Sequence, residues 1–151
     1  MQILALILLT ITLAIHAMAE IPPYSPDKRL KIELFAEAPQ IKHPTGLTID
    51  SKGRVFVIES HTHFPPNDYA GQKRDRIYVF SKPGKDGKST DRKTFAEGFE
   101  MGMDLLMARD GWLYVAERSR ISRIRDTDND LKADQFQTII DLKTTGKYPH
   151  N

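Results

Sequence analysis

The chain has five histidines and no cysteine. It therefore has no disulfide, no Cys-ligated zinc and no sulfur nucleophile, which leaves imidazole and carboxylate chemistry. Two short segments concentrate that chemistry. The first is HTHFPP, His61 to Pro66. In extended backbone, residues i and i+2 point the same way, so His61 and His63 can grip one metal ion. Each imidazole can also carry a proton near neutral pH. The plainer reading is a surface loop stiffened by Pro65 and Pro66. The second segment is DTDNDLKAD, Asp126 to Asp134. Asp126, Asp128, Asp130 and Asp134 take the first, third, fifth and ninth positions of a calcium loop. Leu131 stands where the sharp turn wants Gly, and Gln137 where a bidentate Glu is expected. This is either a weak structural calcium site or a solvated Asp/Asn turn.

Three further residues carry possible chemistry. Glu59 and Glu117 end two similar apolar runs, and each can anchor a neighbouring loop or act as a base. His150, beside Asn151, is the last histidine; it can be a general base, a cofactor neighbour or a loop residue.

What must position these groups is a set of short apolar runs closed by Gly, Asp or Pro: 30–35, 46–49, 55–58, 77–80, 105–108, 112–116, 121–124 and 136–140. Val, Ile, Phe, Tyr and Trp dominate several of them, and no sustained helical period occurs, so the chain is expected to be all-β. An internal repeat organises the runs. GLTIDSKGRVFVIE aligns with DLLMARDGWLYVAE at an offset of 58, and residues 76–95 align with 120–139 at an offset of 44. The difference, 14, is the length of segment 61–74. The unit is thus four strands in 44 residues with one insertion, the size of a β-propeller blade. One blade is expected over about residues 46–97 and a second over 104–142, with 31–35 as an outer strand. Two blades do not close a ring of about four to eight, so the expected object is an incomplete propeller, the N-terminal fragment of a larger one. By itself it would leave two apolar sheet faces open and is expected to be poorly soluble and inactive.

Antiparallel order also sorts the loops by parity. His43, segment 61–74, Met101, Met103, Glu117 and His150 fall at one end of the strands. Residues 50–53, 81–91, 109–111 and 126–134 fall at the other. Binding residues concentrate on loops held by a rigid scaffold, so the histidine end is the expected functional face.

The chain ends frame this domain. Residues 3–17 are nearly all apolar, no charged residue precedes Glu20, and Ala17-Met18-Ala19 offers a small-x-small cleavage pattern. Residues 1–19 are read as a secretion signal, which makes the protein periplasmic or secreted. Met1-Gln2 lacks a basic region, so an uncleaved membrane anchor is the alternative. Residues 20–29 form a Pro-rich leader and 30–151 the domain. A net charge of +2 offers no basic stripe for nucleic acid.

LFAEAPQIKHPTGLTID, GRVFVIESHTHFPP, DRIYVFS, RDTDNDLKAD and GKYPHN resemble the start of the membrane-bound dehydrogenase family of β-propellers, itself similar to the soluble quinoprotein glucose and sorbosone dehydrogenases. The resemblance spans residues 34–151. It implies a six-bladed ring that oxidises a sugar or alcohol with pyrroloquinoline quinone and Ca²⁺ and passes electrons to a cytochrome c. It implies that His150 faces the cofactor, with His61, His63 and Asn151 beside it, and that basic residues of later blades hold the quinone. The second expectation is of another class: a non-catalytic propeller that binds a carbohydrate or a protein through the same face.

Overall fold

Seven of the eight apolar runs become strands. The computed structural model describes residues 23–89 and 91–144. The segment expected to be an export signal, His150 and Asn151 lie outside them. The strands are β1 (Pro44–Ile49), β2 (Val55–Glu59), β3 (Asp75–Phe80), β4 (Arg92–Phe99), β5 (Gly102–Met107), β6 (Leu113–Glu117), β7 (Arg120–Arg125) and β8 (Gln135–Asp141). They form two four-stranded antiparallel sheets, ordered β1-β2-β3-β4 and β5-β6-β7-β8. No helix occurs among the described residues. The compact unit runs from Glu33 onward. In the leader before it, Asp27 turns back on Arg29 in an exposed 2.6 Å ion pair.

Several backbone bonds repeat at equivalent positions in the two sheets. Asp50 N donates to Arg54 O, and Ala108 N, 58 residues on, donates to Trp112 O. Ser60 N donates to His43 O, and Arg118 N donates to Met101 O. Two of the three register irregularities of the first sheet repeat in the second. The register shifts at Thr45 between Pro44 and Gly46, and at Met103 between Gly102 and Asp104. It shifts again at Phe95, opposite Ile77/Tyr78, and at Ile139, opposite Ile121/Ser122. A bulge adds one residue to one strand and re-aims the side chains beside it.

The two sheets pack face to face. Phe56, Ile58, Ile77, Val79 and Phe95 of the first meet Leu105, Leu113, Val115 and Ile124 of the second in one buried cluster. These are opposite faces of the repeat. Phe56 is equivalent to Tyr114, and Leu113 to Val55, so the contact is head-to-tail rather than a mirrored sandwich. β1 and β5 approach closely enough that a Cβ on Gly46 would lie 2.5 Å from Asp104 Cα. Side-chain bonds from Thr45 Oγ1 to Gly102 O (2.8 Å) and from Met107 N to Thr48 Oγ1 (3.1 Å) fasten the same seam.

The expected strand at 31–35 is absent. Residues 31–36 are irregular, and Phe35, Ala36 and Ile41 cover the other face of the first sheet, over Val55, Val57, Tyr78 and Phe80. The Phe35 ring meets Phe80 edge-on at 5.4 Å. Apolar burial by side chains, not edge pairing, holds the segment. One of the two sheet faces expected to lie open is therefore partly closed by the chain itself. The other, on the second sheet, is open among the described residues, with Leu106 63% exposed and Ile140 46%. Arg123 and Arg125 lie over Trp112, each 4.4 Å from the ring centre.

Candidate functional site

Each second strand ends in a buried glutamate, and both glutamates accept a backbone N–H from the approach to the first strand. Glu59 Oε2 accepts Lys42 N at 2.5 Å, and Glu117 Oε1 accepts Glu100 N at 2.8 Å. The shared role is anchorage. The remaining bonds differ. Glu117 is also gripped by Arg120, whose Nε is 2.5 Å from Oε2. That bond is the first cause raising the Arg120 pKa above its usual value. In the first sheet the equivalent arginine, Arg76, pairs with Glu97 instead, at 3.0 Å. Glu59 Oε1 is left to the insertion and meets His61 Nε2 at 2.5 Å.

His61 is buried at 8% exposure and uses both ring nitrogens, since Nδ1 meets the Tyr69 hydroxyl. An ionised glutamate only accepts, so a neutral His61 carries its proton on Nε2, with Nδ1 accepting and Tyr69 donating. The rings of His61 and Tyr69 stack at 6.0 Å, and His43 meets His61 edge-on at 5.6 Å. In this arrangement His61 presents no unused nitrogen for a metal shared with His63.

Asp75, at 0% exposure, holds the insertion to the sheets. Its Oδ1 accepts His61 N (2.6 Å) and Thr62 N (2.9 Å). Its Oδ2 accepts Ser60 Oγ (3.0 Å), Thr62 Oγ1 (3.0 Å) and Gly102 N (2.7 Å). One carboxylate thus ties the end of β2, the loop and the start of β5 together. Met101 N adds a 2.5 Å bond to Thr62 Oγ1.

Above these anchors opens a cleft of about 510 Å³ lined by His43, His61, His63, Phe64, Tyr69 and Met103, among others. The three described histidines expected at this end of the strands all reach it. Thr45 and Met103, the bulge residues of β1 and β5, also line it. Three non-glycine residues at or beside it have positive φ: His43 (36°), Phe64 (48°) and Met101 (51°). Such backbone costs about 1–3 kcal/mol per residue and persists where the surroundings over-determine it, commonly at functional sites. His63 stands edge-on to Phe64 at 5.3 Å.

The sequence reading passed over Tyr69 and Asp75. Asp75 corresponds to Ser119 in the second sheet, so the repeat carries no signal for it. An acid set directly before an apolar strand was the available hint. Tyr69 is the only aromatic residue in the insertion besides Phe64 and the two histidines.

The aspartate loop belongs to the opposite end. Asp126 and Asn129 line a different cleft with Asp50, Lys52, Arg109 and Gly111. Asp126, Asp128 and Asp130 present ligand atoms within 4.8 Å of one another. Asp134 turns away to accept Thr127 Oγ1 (2.6 Å) and Thr127 N (3.1 Å). The Thr127 hydroxyl is the first cause lowering its pKa. Leu131 takes the left-handed turn without being Gly, at φ 70°, and packs its side chain on the core. Three carboxylates fit a hard cation, but Asp126 already spends both oxygens on Asn129 N and Leu131 N. Calorimetry is expected to show Ca²⁺ binding weaker than micromolar, unchanged in Asp134→Ala and lost in Asp128→Ala. Sub-micromolar affinity, or sensitivity to Asp134, would contradict this ligand set.

A family model described as a domain of unknown function, DUF7133, matches residues 24–149. No curated protein and no solved structure matches the chain.

Proposed function

The chain belongs to the DUF7133 family, a domain of unknown function, and from its own geometry we propose that it forms two consecutive blades of an exported β-propeller whose histidine-lined cleft takes a sugar or alcohol. The propeller reading rests on head-to-tail packing. When one face of a repeat binds the opposite face of the next, the operation propagates, into a ring where the rotation closes and an open array where it does not. The open face of the second sheet is the equivalent of the face that the first sheet buries, so a further repeat of the same kind fits it.

The substrate reading rests on one observation, the convergence of His43, His61, His63 and Tyr69 in a cleft that also offers Phe64, Pro65 and Met103. Ring faces with a few fixed polar groups suit a neutral polyhydroxylated molecule, whose C–H faces pack while its hydroxyls bond. A dehydrogenase of the quinoprotein kind would also need to hold a tricarboxylate quinone. No lysine or arginine lines this cleft, and Lys42, Arg76 and Arg92 line the neighbouring one that shares His43, His61 and Tyr69, so the residues of this cleft by themselves do not fit that cofactor. They fit the substrate side alone. The same observation supports the second reading, a carbohydrate-binding propeller without redox chemistry.

Ligand-observed NMR on the full-length protein with D-glucose and with glycerol tests the proposal. Binding is expected for at least one of the two probes and is expected to weaken about tenfold or more in His63→Ala. Absence of binding to the parent protein would remove the substrate reading. Sugar-dependent dye reduction after addition of quinone and Ca²⁺ would favour the dehydrogenase; binding without turnover would favour the lectin-like reading.

A further inference from the structure

The bond from Glu59 to His61 has no equivalent in the second sheet, where anchorage is achieved with an arginine. Scaffolding needs only the Lys42 N–H. Instead, the insertion brings in an imidazole, buries it at 8% exposure, and sets a phenol against its far nitrogen. The result is a carboxylate–imidazole–hydroxyl chain. Its carboxylate end is buried at 2% exposure, and its hydroxyl end belongs to a half-buried ring that lines the cleft. This order matches the logic of an activated hydroxyl: the carboxylate fixes the tautomer and the imidazole receives the proton. Asp75 holds the backbone of His61 at 2.6 Å, which fixes the ring's origin independently of Glu59. Lys73 clamps the far side of the loop, its Nζ bonded to Tyr69 O and 5.5 Å from the ring centre.

We propose that Tyr69 is an acid–base residue for a hydroxyl of the bound sugar or alcohol, with His61 and Glu59 as positioning residues that hold and release its proton. The proposal rests on the substrate reading above. In the forward direction the substrate O–H breaks and its proton bonds to the Tyr69 oxygen. The phenol's own proton passes to His61 Nδ1, and the Nε2–H bond to Glu59 stabilises the imidazolium so formed. The reverse transfer returns the proton to the substrate oxygen. No oxidant is consumed and no other bond changes.

The test uses the full-length protein with ¹⁵N-labelled histidine and ¹³Cζ-labelled tyrosine, probed with whichever of D-glucose and glycerol binds. In the free protein His61 is expected to be the Nε2–H tautomer with Nδ1 unprotonated. Ligand should shift the Tyr69 ¹³Cζ and His61 ¹⁵Nδ1 signals together. Glu59→Gln, which can turn its amide N–H₂ toward Nε2, should exchange the protonated and unprotonated nitrogen signals. That exchange checks the tautomer, and the ligand-induced shift in the parent protein separates a relay from a purely structural role. Tyr69→Phe, compared with the parent at ligand concentrations that saturate each, should abolish the ligand-induced shift at His61 Nδ1. Binding that leaves both signals of the parent protein unmoved would overturn the relay and leave the substrate reading standing. Failure of the parent protein to bind either probe would overturn both. The measurement on the parent protein does not depend on any variant folding.

Discussion

Asp75→Ala is expected to cost about 4 kcal/mol or more, read as a lowered urea midpoint and a lowered Tm. The carboxylate accepts five hydrogen bonds at 0% exposure. Alanine leaves three backbone N–H groups and two hydroxyls to find other partners. Each unsatisfied buried group costs roughly 1–3 kcal/mol, and part of that is recovered where hydroxyls rotate or water enters. Domains of this size are stable by about 5–15 kcal/mol, so the loss consumes much of the margin. Asp75→Asn separates charge from shape. With its amide nitrogen in the place of Oδ2, the Ser60 and Thr62 hydroxyls can turn and accept, but Gly102 N–H cannot. Its cost should be about half that of the alanine variant. If Asp75→Ala melts within a degree or two of the parent, the aspartate is not the fastening described here.

The second large effect compares two positions that the repeat makes equivalent. Phe56→Ala in residues 1–151 is expected to cost about 3–5 kcal/mol, because the ring is 1% exposed between the sheets and its removal leaves a cavity. It also loses the edge-on contact with Phe95 at 5.0 Å. Tyr114→Ala should cost less than about 1 kcal/mol in the same chain, since that ring lies half-buried on the open face of the second sheet. In a longer chain that carries a further repeat on that face, Tyr114→Ala should approach the cost of Phe56→Ala. A cost for Tyr114→Ala that stays small in the longer chain would remove the argument that the packing propagates.

Much of the architecture was legible from pattern alone. Val55 to Ile58 and Trp112 to Ala116 are apolar at nearly every position, which marks strands covered on both sides; the first is so covered, whereas Tyr114 and Ala116 of the second are half-buried on the open face of the second sheet. The repeat predicted equivalent turns at Asp50 and Ala108, and the same backbone bonds close them. Antiparallel parity predicted that His43, His61 and His63 share one end, and they share one cleft. Strand β4 escaped the apolar-run reading for a physical reason. The bulge at Phe95 puts two consecutive residues, Phe95 and Ala96, into the core, and charged Arg92, Lys93 and Glu97 flank them, so neither alternation nor a continuous run survives. Segment 31–35 failed the other way. It has strand-like composition, but the chain finds more burial by docking Phe35 on a sheet face than by pairing an edge.

The sequence by itself determined seven of the eight strands, the repeat and the loops that meet at each end. These follow from periodicity and from turn residues, which act over a few positions. Tertiary structure alone decided what each polar group does. It placed Asp75 under both the loop and β5, gave Glu59 an imidazole where Glu117 has an arginine, and turned Asp134 away from the other aspartates. A hydrogen bond depends on tenths of an ångström and on which partner is nearest after packing. Residues far apart in the chain, such as Asp75 and Gly102, reveal that dependence only once the sheets have come together.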